Sequence, residues 1–180
     1  MPRSLSLAFL AAVVAVSCTV ATAQESHWLD VPFVAQPANG CGAAVISMTL
    51  QYWRAHGTAL SPNAFDVAAI QHELYSPSDR GIKATDMARY FTKLGFRTFA
   101  FRGDDNDLAN HIAKGRPLII ALRESKDDLH YVVVVGTDPR DNAVLVNDPA
   151  RRKLLKMDLD ELHKAWAGAS NWTLLVVPNA

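Results

Sequence analysis

The sequence predicts an α+β fold in which a helical layer is followed along the chain by an antiparallel sheet. Three observations predict it. Between Cys41 and Leu94 apolar residues recur at helical spacing, and beyond Gly95 they alternate or run continuously in short segments bounded by turn residues. Between two valine-rich runs, Asp138-Pro139-Arg140-Asp141-Asn142 has the composition of a turn, which makes the pairing antiparallel.

Trp28 to Val34 alternates loosely between apolar and polar residues and runs into Gln36-Pro37-Ala38-Asn39-Gly40, an extended segment entering a turn. From Cys41 to about His56, Ala43, Ile46, Leu50 and Trp53 share a helical face, no proline intervenes and Gly57 closes the run. The expectation is an amphipathic helix that begins at the cysteine. Ser61-Pro62 has the form of an N-cap with proline in the first turn, predicting one helix to about Leu74 with Phe65, Ala68, Ile70 and Leu74 turned inward. A third helix, opening at Ala84 or Thr85, carries Met87, Tyr90, Phe91 and Leu94 and stops at Gly95. Trp53, Tyr90 and Phe91 are expected in the core, and Trp28 with them.

Phe96 to Phe101 alternates, Asp107 to Lys114 reads as a short helix ended by Gly115, and Pro117 to Leu122 is a compact apolar run. Tyr131 to Val135 is apolar at every position, the pattern of a strand covered on both faces, and Ala143 to Val146 returns as its partner. Arg151 to Leu159 is expected as a further strand, Glu161 to Ala167 as a short helix and Trp172 to Val177 as the last strand.

The first residues follow a different logic. Arg3, an apolar stretch from Leu5 to about Val16, and Ala21-Thr22-Ala23 form the three parts of a secretory signal peptide. The apolar stretch falls short of the ~20 residues that span a bilayer, so no integral membrane span is expected. Residues 1–23 are therefore read as a signal peptide and 24–180 as a single domain, periplasmic or secreted. Lipid attachment at Cys18, which follows Ala15-Val16-Ser17, is the alternative processing route. Eighteen Lys and Arg balance eighteen Asp and Glu, scattered along the chain, which gives a nucleic acid or an anionic membrane surface no footing. There is no HExxH and no paired-cysteine spacing, so neither a metal nor another cofactor is expected. His72, His111 and His163 lie on predicted helices among charged neighbours and are expected to face solvent.

Once residues 1–23 leave, Cys41 is the only thiol, and a lone thiol outside the cytoplasm is a liability unless it is buried or used. A helix N-terminus favours a thiolate, because unpaired N–H groups and the macrodipole attract negative charge there. Counting outward from Arg140, His130 is about ten residues away and Asp148 about eight, so the hairpin brings them to the same end within about one pair. An imidazole base needs such a carboxylate to hold one tautomer and stabilise its protonated form. Gln36, in the turn before Cys41, is placed to aim its amide at an oxyanion, with the Cys41 N–H as second donor.

Taken together, Val31-Pro32-Phe33-Val34-Ala35-Gln36, Asn39-Gly40-Cys41-Gly42-Ala43-Ala44, Gly81-Ile82-Lys83-Ala84-Thr85, His130-Tyr131-Val132-Val133-Val134 and Asn147-Asp148-Pro149 resemble the bacteriocin-processing peptidases. These are papain-like cysteine enzymes that cut leader peptides after a Gly-Gly pair. The resemblance implies a papain-like fold with Cys41 as nucleophile, His130 as base, Asp148 as its orienter and Gln36 in the oxyanion hole, acting on a peptide or protein. Gly40 stands where that family often has an acidic residue, Gln36 is one residue nearer the cysteine than in many exporters, and no Gly-Lys-Ser/Thr phosphate loop is present. Two alternative readings of this chain keep the same scaffold: a periplasmic peptide-binding module with little activity, and an acyl transferase or cell-wall amidase.

Overall fold

The computed structural model describes residues 26–126 and 128–179. The expected signal peptide and Cys18 lie outside the described residues. Among the described residues, five α-helices and seven strands follow one another: β1 (His27–Trp28), α1 (Cys41–Ala55), α2 (Val67–Leu74), α3 (Ala84–Lys93), β2 (Phe96–Arg102), α4 (Asp105–Ala113), β3 (Leu118–Arg123), β4 (Leu129–Asp138), β5 (Ala143–Asp148), β6 (Arg152–Asp158), α5 (Leu159–Gly168) and β7 (Trp172–Pro178). The strands form one antiparallel sheet in the order β2-β7-β3-β4-β5-β6, with β1 added to the far end of β4. Helices first and strands after, with α1 packed on β4 and α3 on β2, is the α+β arrangement expected.

Helix α1 begins at Cys41 as expected, but it is buried more completely than an amphipathic helix. Every residue from Gly42 to Leu50 is buried, because α2, β4 and the turn at Pro62–Phe65 cover it from different sides. Two hydroxyls go inside with it and are satisfied locally: Ser47 donates to the Phe65 carbonyl at 2.6 Å and Thr49 to the Val45 carbonyl at 2.8 Å. Gly57, with φ of +93°, ends the segment in a conformation that only glycine adopts without strain.

The single helix expected from Ser61 to Leu74 is two pieces. Pro62–Phe65 is a 3-10 turn, and α2 starts afresh at Val67 with Asp66 as its N-cap, accepting from the Ala69 N–H at 2.7 Å. The Phe65 carbonyl, bonded to Ser47, and the Asp66 cap both compete with a continuous helix. As a result Ala64 is buried and Ala68 exposed. The first extended segment also differs, since only His27 and Trp28 pair in the sheet and Trp28 is 50 % exposed rather than in the core. The strand that carries His130 is longer than its apolar run, with His130 through Gly136 buried and Tyr131–Val135 at its centre.

Candidate active site

The turn before α1 is tight. Asn39 takes a left-handed conformation (φ of +54°), the Gly40 N–H donates to the Pro37 carbonyl at 2.9 Å, and a Cβ on Gly40 would lie 2.5 Å from Pro37 Cγ. A side chain at position 40, acidic or otherwise, has no room in this short turn. On the other side of the cysteine, a Cβ on Gly42 would lie 2.8 Å from Cβ of the buried Ile82, so the Gly81-Ile82 segment packs directly on the first turn of α1. Cys41 itself is half-buried at the start of that turn.

His130 and Asp148 meet in the interior, 5 % and 2 % exposed, with the imidazole Nε2 and Asp148 Oδ1 at 2.8 Å. A single-residue bulge makes this contact possible. Near the turn Asp138 pairs with Ala143 and Gly136 with Leu145, whereas Val134 pairs with Val146 and Val133 with Asn147. The extra residue is Val135, whose carbonyl accepts from the Leu29 N–H at 2.7 Å. Continuing the inner register sets Asp148 opposite Val132, which shares a face with His130. The outer register would set it opposite Val133 and turn it to the other face.

The electrostatics of the pair follow from this burial. Burial pushes the His130 imidazolium down, but hydrogen bonds to Asp148 and Cys41 and the charges of both outweigh it, raising the group from 6.5 to about 10. With Nε2 on Asp148, the other ring nitrogen is the one left for the Cys41 sulfur. Burial alone pushes the Asp148 carboxyl up. The bond to and charge of His130, the Ala150 N–H at 2.9 Å and Arg151, with Nε 3.4 Å from Oδ2, bring it below the usual carboxylate range. Burial and then the charge at Cys41 push the neighbouring Tyr131 phenol up to about 12.

An ionised carboxylate favoured by the fold stabilises it only while ionised. The Asp148 contribution is therefore complete above about pH 4 and is lost as pH falls through the lowered native value. In denaturant titrations, the stability gap between wild type and Asp148→Asn is expected to be constant from pH 5 to 6 and to close below pH 4. A gap that stays constant down to pH 2 would contradict the ion pair.

Gln36 is tied to the same strand end: its N–H donates to the Pro149 carbonyl at 3.0 Å. The side-chain Oε1 is buried without a hydrogen-bond partner, and Nε2 makes no hydrogen bond among the described residues. The buried unpaired Oε1 costs about 1–3 kcal/mol and needs a donor, so an oxyanion would pair with Nε2 and not with it. Asn147 links these parts. Fully buried, it donates from Nδ2 to the Val31 carbonyl at 3.0 Å and accepts the Leu154 N–H on Oδ1 at 3.0 Å, bracing the segment that carries Gln36 against β5 and β6. Its signal in the sequence is an amide closing an otherwise apolar strand. Gln71 of α2, whose Nε2 lies 3.5 Å from the Asn39 carbonyl, and Arg151 beside Asp148 are further neighbours that sequence patterns did not reveal.

All four expected residues thus stand around the N-terminus of α1 and the adjoining ends of β4 and β5. The sequence matches the Peptidase_C39 like family over residues 28–173. The chain belongs to that family. It is a cysteine peptidase, a hydrolase with the papain-like C39 fold. Among solved structures it is similar to a C39-like peptidase from Bacillus anthracis, with a TM-score of 0.68 at 18 % identity over 87 % of this chain and 100 % of that one. The peptidase domain of Streptococcus ComA, a bifunctional ABC transporter of a quorum-sensing pathway, gives 0.65 at 22 % over 83 % and 99 %. A double glycine motif protease from an AMS/PCAT transporter, solved with its leader peptide, gives 0.64 at 22 % over 85 % and 95 %. No match was found among curated proteins. Within the C39 family this chain's described residues include no helix long and apolar enough to cross a membrane.

Proposed function

We propose that this C39-family peptidase is exported and hydrolyses a peptide bond in a peptide or protein substrate through Cys41, His130 and Asp148, with Gln36 and the Cys41 N–H as the oxyanion hole. The observation that carries the reading is the buried His130 with Asp148 on Nε2 at 2.8 Å and Cys41 near enough to help hold its charge. The Cys41 thiolate attacks the scissile carbonyl carbon, a C–S bond forms, and the carbonyl oxygen becomes an oxyanion that accepts hydrogen bonds from Gln36 Nε2 and the Cys41 N–H. The His130 imidazolium gives its proton to the leaving amine as the C–N bond breaks. Water then loses a proton to His130 and attacks the thioester, the C–S bond breaks, and a carboxylic acid product leaves with the thiolate–imidazolium pair restored. Asp148 keeps the imidazole oriented and its charge compensated throughout.

A peptide substrate is supported by the leader peptide bound to the related double glycine motif protease. Export is supported by the signal-peptide layout of residues 1–23. The test is incubation of the mature protein with a mixed peptide library and identification of products by mass spectrometry. Wild type is expected to generate new carboxyl termini at a consistent set of sites, and Cys41→Ala none. New amide or transpeptidation products in place of free acids would mark an acyl transferase, and an inert wild type a binding module.

A further inference from the structure

A groove of about 990 Å³ opens at the far end of α1, where Trp53 and His56 meet Phe99 and Phe101 of β2 and Leu175 and Val177 of β7. Trp53 is about a dozen residues beyond Cys41, so at 1.5 Å per residue the groove begins about 20 Å from the sulfur. Its apolar floor is built by strand register: Phe99 is paired with Leu175 and Arg97 with Val177, so these side chains share one face. Phe99 remains 49 % exposed on that face, at the edge strand of the sheet.

The rim is cationic. Arg97, Lys114 and Arg116 border the groove, and none makes an ion pair among the described residues. Asp107 is the one carboxylate of the described lining, and its Oδ2 is engaged by the Asp104 N–H at 3.1 Å in the capping box of α4. His111, expected to face solvent, is instead half-buried there with Nδ1 lacking a partner. Burial pushes its imidazole down, Arg116 and Lys114 push it further, and Asp107 opposes them. An apolar floor beside unpaired cations is complementary to an amphiphilic anion.

We propose that this groove docks a polypeptide segment of the substrate that carries apolar side chains and carboxylates, seating the former on Phe99, Phe101 and Leu175 and the latter on Arg97, Lys114 and Arg116. A polypeptide fits better than a lipid because the groove is open along the sheet and the enzyme cleaves peptides. The line from the groove to Cys41 runs along the buried α1, so a substrate that reaches both passes over the surface and needs more than the roughly six extended residues that cover 20 Å. Docking there supplies binding energy remote from the scissile bond. The link to cleavage rests on the proposed triad, but the docking itself does not.

The test measures fluorescence anisotropy of a short labelled peptide of leucine and glutamate on the mature Cys41→Ser protein, beside counterparts with glutamine or lysine for glutamate. The glutamate peptide is expected to bind most tightly. The Arg97→Glu/Lys114→Glu/Arg116→Glu variant should lose at least about tenfold in affinity for it and turn to the lysine peptide. Phe99→Ser, which keeps the charges, should weaken all three. With active enzyme, the charge-reversed variant should raise KM for a substrate bearing the acidic apolar segment and leave a minimal cleavage-site peptide unaffected. Equal binding of the glutamate and glutamine peptides, or unchanged affinity in the reversed variant, overturns the proposal. So does binding of palmitate without binding of peptide, which would make this a lipid-anion site. Peptide binding with no cleavage by wild type would instead count against the triad alone.

Discussion

Replacing His130 with alanine is expected to lower kcat/KM for a peptide substrate by about four orders of magnitude, and Cys41→Ala to lower it to background. The size of the effect follows from the two tasks that the proposed mechanism gives one imidazole. It holds the charge that favours the Cys41 thiolate, and it carries the proton to the leaving amine. Iodoacetamide separates these tasks, because alkylation needs only the thiolate. Wild-type Cys41 is expected to be alkylated faster than the same thiol in His130→Ala at the same pH. As pH rises toward about 10, where the imidazolium loses its proton, peptide hydrolysis should fall while alkylation continues. Alkylation at the same rate in His130→Ala as in wild type would sink the catalytic pair.

Gln36→Ala is expected to cost about two to three orders of magnitude in kcat, with KM little changed, because the amide meets its partner chiefly when the carbonyl oxygen becomes negative. Its folded-state bonds support the separation. The side chain makes no hydrogen bond among the described residues, and the backbone N–H that anchors it to Pro149 survives the substitution. Removing a buried unpaired Oε1 should leave stability unchanged or slightly higher. A Gln36→Ala protein that unfolds more easily and retains its kcat would show a structural amide, and the oxyanion hole would have to be sought elsewhere.

Much of the site was legible because its parts are local. The helix that begins at Cys41 is written in the Ala43, Ile46, Leu50 spacing and the preceding Asn39-Gly40, and the chemistry of Cys, His, Asp and Gln is carried by residue type. The absence of an acidic side chain before the cysteine, visible as Gly40, acquires its reason from Pro37 packed against that glycine.

The sequence by itself determined the order of helices and strands, the helix start at Cys41 and the stops before Gly57, Gly95 and Gly115, and the residue types that the proposed mechanism uses, since torsional preference and periodicity act over a few neighbouring residues. Tertiary structure decided what depends on partners distant along the chain. The bonding of Ser47 to Phe65 goes with the division of the expected second helix, and Leu29 takes the carbonyl of the Val135 bulge that turns Asp148 toward His130. Trp28 was left half-exposed and His111 half-buried against the charge pattern around them, because burial is set by which element arrives to cover a face. The cationic groove has the same origin: Arg97, Lys114 and Arg116 are scattered in the sequence, and the pairing of β2 with β7 beside α4 gathers them on one apolar floor.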